Sequence, residues 1–469
     1  MLRPHRLESL NATSDRLGDF TLTQNASPPP QPLYRRPAVE ATQENRFHGD
    51  LYEREQLADR LTGLLERLPD GAVLSIDSPW GEGKTWFGKR WRAKLEDQGF
   101  RTAYIDCFAR DHIEDPFAMV AGEFLAMAKK AKPGARGKLL DAGKKIGASL
   151  LPSALKFAVN TVGHLAIGHS GLADDIAKAA ESVEESASKK LEKLVAKSLE
   201  NYEKDKQSVD GFKTSLAELA AERSEPIVIF VDELDRCRPD FAVRTIERIK
   251  HFFDVPGIVF VLLINRKQLV AAIKGIYGAE VDGEAYLGKF VQLSLSLPKR
   301  LSFDRHGRDD NRKHIEAELA RYGFPSNGPA SSFAAMAGTI GSLLELSLRD
   351  MERAVALFSF GQPLGASAGF AAWPVVLKLA RPSLFKRLRS HDREAHMEAY
   401  KLAALFKEKA PDAKHLIEFF EELHNCGSGG FASSLPMETS QTLAHQGHWS
   451  SPRSYLTWIF ERIELSVAD

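Results

Sequence analysis

A glycine-containing turn between an apolar run and an amphipathic segment is the first feature of this sequence that could do chemistry. The run Ala72–Ile76 ends at Asp77, and the turn Ser78–Thr85 reads SPWGEGKT. Glycines allow backbone angles that are closed to other residues, so successive backbone N–H groups can curl around a phosphate. The spacing therefore predicts a strand, a phosphate-binding loop and a helix, in that order.

The residue types in this loop suggest individual roles. We expect Lys84 to reach the β- and γ-phosphates of a nucleotide and Thr85 to offer its hydroxyl to Mg²⁺. The pattern G-x-x-x-x-G-K-[ST] has Ser78 at its first position instead of glycine, and the alternative is a chance Gly-Lys-Thr triple in a surface turn. The residues predicted to contact the nucleotide are Pro79, Trp80, Gly81, Glu82, Gly83, Lys84, Thr85 and Trp86.

Two adjacent carboxylates follow a second apolar run. Ile227–Val231 is apolar throughout, as in a central strand buried on both faces, and it is followed by Asp232 and Glu233. Such carboxylates face the crevice where α/β sheets bind ligands. Asp232 is predicted to hold the Mg²⁺ shared with Thr85, and Glu233 to polarise an attacking water as general base. The alternative is that both carboxylates cap the next helix.

A third apolar run, Gly257–Ile264, ends in Asn265. Two interpretations of Asn265 stay open: contact with the γ-phosphate, or the N-cap of a helix over Arg266–Ile276. The segment Asn265–Gln268 lacks the aspartate that would bind a guanine edge, so the expected nucleotide is ATP rather than GTP.

The elements around these residues alternate between strand and helix. Further strands are predicted at Arg101–Asp106 and Phe290–Leu297. Alternation of this kind indicates an α/β fold with a mostly parallel sheet covered on both faces, here with five strands.

Composition and punctuation divide the chain into four parts. Residues 1–45 are polar and proline-rich and are expected to be a disordered tail. The expected core comprises residues 46–128 and 226–300. Residues 129–225 are predicted to be a helical insertion, and residues 301–469 a helical lid followed by a helical region.

The overall composition indicates a reducing compartment and gives little indication of a nucleic-acid partner. Lys and Arg number 63, as do Asp and Glu, so no excess of positive charge points to nucleic acid, although a local basic face stays open. The three cysteines are far apart, as in a cytoplasmic protein without disulfides.

One apolar stretch, residues 146–167, is about long enough to cross a bilayer. It contains Pro152, Lys156, Asn160 and His164, each costly in lipid. The phosphate loop and the acidic strand lie on opposite sides of this stretch and must share one compartment. Protein packing is therefore the favoured interpretation, with peripheral membrane contact and true insertion as alternatives.

Taken together, the motifs resemble those of the KAP family of P-loop NTPases. The resemblance rests on Pro79–Thr85, Asp232–Pro239, Phe252–Val261 and Tyr286–Gln292, and it covers roughly Asp50–Phe358. It implies an ATPase core related to signalling NTPases that switch and assemble, with an insertion, frequently membrane-spanning, before the acidic strand. Bacterial members are often linked to phage exclusion or defence. Departures from the family pattern are the serine that opens the loop, the glutamate after Asp232, and an asparagine where aspartate is frequent.

The resemblance also implies an arginine at the γ-phosphate. In related NTPases a lid helix supplies it, and Arg349 matches that position within the helical pattern Gly341–Phe360. The alternative is a surface ion pair of Arg349 with Glu345 or Asp350. A second protomer could instead supply the arginine, and the candidates are Arg236 and Arg238.

The sequence therefore predicts an enzyme, a Mg²⁺-dependent P-loop ATPase that drives a conformational or assembly switch, with a role in phage defence implied by the family. Two rivals stay open: a nucleotide-gated scaffold with little turnover, and a DNA-stimulated ATPase. A second copy of the chain or another protein is the expected partner.

Overall fold

The computed structural model describes residues 46–112, 116–128, 134, 137–139, 141–142, 209–253, 255–299, 310–361, 368–409, 414–427 and 452–464. The predicted tail (residues 1–45), the apolar stretch 146–167 and most of the predicted insertion lie outside these residues. Among the helices within them, none is both long and apolar enough to span a bilayer.

A five-stranded parallel sheet lies at the centre of the first half of the chain. Its order is β2-β3-β4-β1-β5, and every strand pairs with its neighbours in parallel. The strands are β1 (Ala72–Asp77), β2 (Thr102–Asp106), β3 (Ile227–Asp232), β4 (Ile258–Ile264) and β5 (Leu293–Ser296). The predicted α/β fold with five strands is confirmed, and each strand falls inside or within one residue of its predicted range.

The strand register brings the polar ends of the strands to one edge of the sheet. Asp77 pairs with Ile264 across β1 and β4, and Asp106 pairs with Asp232 across β2 and β3. All the strands are parallel, so their carboxyl ends, and the loops that follow them, share this edge.

Helices cover both faces of the sheet and form the rest of the described chain. The helices of the first half are α1 (Arg54–Leu65), α2 (Lys84–Asp97), α3 (Pro116–Ala128), α4 (209–220), α5 (Pro239–Phe253), α6 (Arg266–Tyr277) and α7 (Gly283–Gly288). The later helices are α8 (Asp310–Arg321), α9 (Pro329–Leu343), α10 (Leu348–Phe360), α11 (Ala368–Ala380), α12 (Pro382–Arg389), α13 (Arg393–Lys409), α14 (Lys414–Gly427) and α15 (Pro452–Glu464).

Alternate residues of the central strands supply two separate cores. Ile229 and Val231 of β3 point into the cluster formed with α3, α5 and α6, whereas Val228 and Phe230 point into the cluster formed with α1 and α2. This period of two explains why β3 and β4 read as uninterrupted apolar runs. A third core lies among α8 to α15 and does not include the sheet.

The helical pattern Gly341–Phe360 is not one helix, which corrects the sequence prediction. Helix α9 ends at Leu343, and α10 begins at Leu348 with Ser347 as its N-cap. The Ser347 hydroxyl accepts from the backbone N–H of Asp350, and the Asp350 carboxylate accepts from the backbone N–H of Ser347. This capping box fixes the start of α10 and places Arg349 in its first turn.

Candidate functional site at the carboxyl edge of the sheet

The loop between β1 and α2 has the backbone that the glycines predict. Gly81 and Gly83 have φ of 85° and 82°, in the left-handed region where other residues are strained. Ser78, the departure from the glycine pattern, is buried, and its N–H donates to the carbonyl of Ile264 in the neighbouring strand (3.1 Å). A small polar residue at this position is therefore compatible with the turn.

Thr85 and Asp232 meet directly beneath this loop. The Thr85 hydroxyl donates to Asp232 Oδ2 at 2.6 Å, and the Tyr104 hydroxyl donates to the same oxygen at 2.6 Å. Asp232 Oδ1 accepts from the backbone N–H of Glu233 at 2.8 Å, and the Asp232 side chain is buried. A hydroxyl beside a carboxylate is the hard oxygen donor set that suits Mg²⁺, so Thr85 and Asp232 fit the ion that the fold implies.

Glu233 is held in a strained backbone conformation next to this pair. Its φ is 58°, unusual for a residue with a side chain, and such strain clusters at functional sites. The Glu233 carboxylate pairs with Arg236 at 2.8 Å. Burial raises the pKa of Glu233, and the Arg236 guanidinium opposes this shift. A carboxylate with a raised pKa is a better proton acceptor than an ordinary one.

Lys84 is buried at the first position of α2. Its Nζ donates to the carbonyls of Ser78 and Pro79, the latter at 3.1 Å, so the ammonium lies within the curl of the loop. Burial lowers the pKa of Lys84, while Asp235 and Asp232 act in the opposite direction.

The two tryptophans of the loop region differ in their surroundings. Trp80 is 43% exposed, and its indole N–H donates to Asp235. Trp86 packs edge-on against Phe47 with ring centroids 5.9 Å apart, and the Arg90 guanidinium lies 4.4 Å from its ring centre. Trp86 therefore packs against the N-terminal segment, whereas Trp80 lies beside the acidic residues of the site.

Asn265 caps the helix after β4. Its side-chain oxygen accepts from the backbone N–H of Gln268 at 3.4 Å. The same residue is buried and follows Ile264, which binds the loop through Ser78. Asn265 thus caps α6 at the level of the loop, and contact with a γ-phosphate stays a prediction.

The first turn of α10 touches the loop. The backbone N–H of Arg349 donates to the carbonyl of Gly81 at 3.2 Å, and a Cβ on Gly81 would lie 2.7 Å from the Ser347 hydroxyl oxygen. The Arg349 side chain is exposed and forms no hydrogen bond or ion pair with the residues that the structure describes. Asp350 pairs with Arg353 instead (3.1 Å), so the surface ion pair considered for Arg349 is not formed in this part of the chain.

These features agree with a family model for the KAP family P-loop domain, which matches residues 54–359. The chain belongs to the KAP family of P-loop NTPases. The predicted family membership is confirmed. We refer to the loop between β1 and α2, residues 78–85, as the P-loop.

Two further comparisons identify more distant similarities of this KAP protein. A 138-residue segment is 27% identical to the phage T7 exclusion protein of Escherichia coli strain K12. The match covers 29% of this chain and 18% of that protein, so the chain spans less than a fifth of its length.

The solved structures with which the chain aligns are remote. The Aeropyrum pernix ORC2 protein, described in its ADPNP and ADP complexes, aligns over 91% of this chain and 98% of its own, with 11% identity and a TM-score of 0.33. The Aeropyrum pernix ORC1 protein in complex with DNA aligns over 91% and 89%, with 13% identity and a TM-score of 0.32. Similarity this low carries no functional argument.

Sequence reasoning missed three residues that support the P-loop of this KAP protein. Buried Arg54 at the start of α1 donates to the carbonyl of Glu82 at 2.8 Å. Lys299 pairs with the Glu82 carboxylate at 2.8 Å and donates to the carbonyl of Leu346 at 2.8 Å. Tyr104 is the third, because its hydroxyl donates to Asp232, which also accepts from Thr85. Only Tyr104 carried a signal, because it is a polar-tipped residue within a strand that ends at the site.

The two arginines that one protomer could supply to the site of another both form contacts within their own chain. Arg236 pairs with Glu233, and Arg238 donates to the carbonyl of Asp111 at 2.6 Å. Transfer of either guanidinium to a neighbouring site would require these contacts to break.

Proposed function

We propose that this KAP protein binds ATP with Mg²⁺ at the P-loop and hydrolyses it. The observation that carries the proposal is the contact of Thr85 with Asp232 at 2.6 Å beneath the glycine turn, with Glu233 next to it. Together these residues supply a phosphate-binding backbone, a pair of metal-binding oxygens and a carboxylate base in one crevice. A protein catalyses phosphoryl transfer mainly by positioning the reacting groups and stabilising their charge.

The roles we propose follow the chemistry of each group. The P-loop residues 79–86 surround the phosphates, and Lys84 neutralises their charge. Thr85 and Asp232 would hold Mg²⁺, which when bound neutralises charge on the phosphate oxygens. Glu233 accepts a proton from the attacking water, and Asn265 contacts the γ-phosphate through its amide.

Arg349 is the proposed lid arginine. Its backbone already contacts Gly81, and its exposed side chain can turn toward a phosphate in the loop. An arginine from a second copy, Arg236 or Arg238, is the alternative. Hydrolysis per chain that rises with protein concentration would favour the second copy.

The output we propose is a conformational or assembly switch read by a partner protein or a second copy. The P-loop contacts the lid at two points: Gly81 with the start of α10, and Glu82 through Lys299 to Leu346. Phosphates that rearrange the loop would therefore act on α10.

We propose that the core comprises residues 46–128 and 226–300, and the lid and helical region residues 301–469. We propose a cytoplasmic location with protein packing for residues 146–167, and peripheral membrane contact there as the alternative.

A role in phage defence is the biological setting that we propose. It rests on family membership and on the segment similar to the phage T7 exclusion protein. That segment is a small part of the named protein, so its activity is not transferred.

A nucleotide-gated scaffold with little turnover is the second candidate, and the two contacts between P-loop and lid favour it. Turnover separates the two candidates: a scaffold retains bound ATP, whereas an ATPase releases phosphate repeatedly. A DNA-stimulated ATPase is the third, and hydrolysis with and without duplex DNA tests it.

The proposal is tested first by ATP binding to the Lys84→Ala variant, measured by calorimetry in the presence of Mg²⁺. We expect affinity to fall by roughly 100-fold or more, because the charge that neutralises the phosphates is lost. Lys274→Ala, at an exposed position in the last turn of α6, is the control and should bind as the wild type does. ATP affinity unchanged in Lys84→Ala would overturn the proposed site.

A further inference from the structure

Three side chains that can ligate a metal ion converge between α8 and α10, outside the nucleotide site. His314 and Glu318 lie one turn apart on α8, and Glu352 comes from α10. Their ligand atoms all lie within 4.8 Å of one another, and His314 Nε2 is 3.6 Å from a Glu352 oxygen. Zinc places tetrahedral ligands about 3.3 Å apart, so small side-chain rotations would complete a coordination shell.

The His314 imidazole has a buried nitrogen that nothing in the described chain satisfies. Its Nε2 is enclosed and has no hydrogen-bond partner among the described residues, and 3.6 Å to Glu352 is too long for a hydrogen bond. A buried polar atom left in this way is uncommon and calls for a missing partner. The unsatisfied atom is the one that faces the two carboxylates.

The other nitrogen of the same ring is held in place. His314 Nδ1 lies 2.6 Å from the Tyr52 hydroxyl. With a metal ion on Nε2, Nδ1 carries the proton and donates it to the Tyr52 oxygen. A ligating histidine is usually oriented by such a contact on its far nitrogen.

We propose that His314, Glu318 and Glu352 form a site for one divalent ion of the zinc class. An imidazole with two carboxylates suits zinc, cobalt or manganese rather than magnesium, which prefers oxygen ligands alone. Glu318 also forms an ion pair with Arg321. The Glu352 side chain is 40% exposed, which leaves room for a water molecule as a fourth ligand.

The position of this site suggests what the ion would do. It would tie α8 to α10 one turn after Arg349, whose backbone contacts Gly81 of the P-loop. Tyr52 lies two residues before Arg54, which supports the other side of the same loop. The ion would therefore hold two lid helices together, and the contact of His314 with Tyr52 would link them to the segment that supports the nucleotide site. Its binding does not depend on hydrolysis of ATP, so the two proposals can fail separately.

The experiment is titration of the full-length chain, first stripped with a chelator, with Co²⁺ alone and then with Zn²⁺ as competitor. We expect one Co²⁺ per chain with the visible absorption of a low-symmetry site, displaced by one equivalent of Zn²⁺. His314→Ala and Glu352→Gln should lose this absorption, and Tyr52→Phe should weaken binding by about 10-fold or more.

Matched variants keep the result interpretable. His391→Asn and Glu316→Gln, outside the cluster, should retain the wild-type absorption and stoichiometry. Glu352→Gln changes a partly exposed side chain and should fold even if His314→Ala does not, which a thermal melt of the metal-free protein would establish. The same uptake of Co²⁺ by wild type and Glu352→Gln, or no stoichiometric uptake by the wild type, would overturn the site and leave a loose His–Glu ion pair.

Discussion

The region around the P-loop and helices α11 to α15 differ in whether their buried polar atoms have hydrogen-bond partners. Next to the P-loop, Arg54 Nε, Glu82 Oε2 and Asp235 Oδ1 are buried without a hydrogen-bond partner within the described residues. In the described parts of α11 to α15, no buried side-chain nitrogen or oxygen is left in this condition. An unsatisfied buried group costs stability, which proteins retain mainly where function requires it.

The later helices bury neutral groups that satisfy one another. The indole N–H of Trp373 donates to His424 Nε2 at 2.8 Å, and His424 Nδ1 lies 3.2 Å from His396 Nδ1. Both histidines are buried in the third core. Buried charged groups without hydrogen-bond partners therefore lie next to the proposed nucleotide site. The described parts of α11 to α15 instead bury paired neutral groups, as an ordinary packed core does.

The ion pair between Lys299 and Glu82 gives the largest expected difference between the two halves. Lys299→Met leaves the Glu82 carboxylate buried without its cation and should lower the free energy of unfolding by about 3 kcal/mol. The control, Lys407→Met, removes a more exposed ion pair with Glu421 in the helical region and should cost about 0.5 kcal/mol or less. Urea denaturation of both variants measures the difference. Equal losses would show that burial around the P-loop carries no special cost.

Acid should weaken the helical half through His424. Burial lowers the pKa of His424 from 6.5 to about 3. Between these two pH values the imidazole is protonated in the unfolded chain and neutral in the folded chain. The contribution of His424 to the free energy of unfolding is fully present above pH 6.5 and is lost as the pH falls toward 3. The expected loss is about 3 kcal/mol between pH 7 and pH 4. Denaturation at several pH values should show a flatter profile for His424→Gln. An unchanged profile for His424→Gln would contradict the assignment.

Gly81 tests the contact between the P-loop and the lid. A Cβ there would lie 2.8 Å from Arg349 Cβ, and the backbone φ of 85° is unfavourable for alanine. Gly81→Ala should lower the free energy of unfolding by about 2 kcal/mol and weaken ATP binding. The matched variant Gly122→Ala meets open space within α3 and should be neutral or stabilising. ATP binding by Gly81→Ala at wild-type affinity would show that the loop tolerates displacement of α10.

The sequence predicts the sheet and its carboxyl edge well, because both depend on local patterns. The apolar run before Asp232 requires a buried strand, and the glycines at 81 and 83 require a turn of restricted shape. The break before Leu348 was missed although Ser347-x-x-Asp350 is a capping-box signature, because the apolar residues before and after it continue a helical period.

The supports of the loop could not be predicted in the same way. Arg54 and Lys299 are far from the P-loop in sequence, and their roles come from tertiary contacts: Arg54 binds a backbone carbonyl that any residue could supply, and Lys299 binds the Glu82 carboxylate. The cluster of His314, Glu318 and Glu352 likewise needs α8 and α10 to be brought together. Only the spacing of the first two on one helix face is visible in the sequence.

The central claim is hydrolysis of ATP by Glu233 at the carboxyl edge of the sheet. The most direct test is phosphate release by Glu233→Gln, measured beside its ATP affinity with Mg²⁺ present. We predict wild-type affinity with hydrolysis lowered by roughly 100-fold or more, because glutamine cannot accept the proton of the attacking water. Release of phosphate by Glu233→Gln at the wild-type rate would contradict the account, as would a wild-type protein that binds ATP and releases no phosphate.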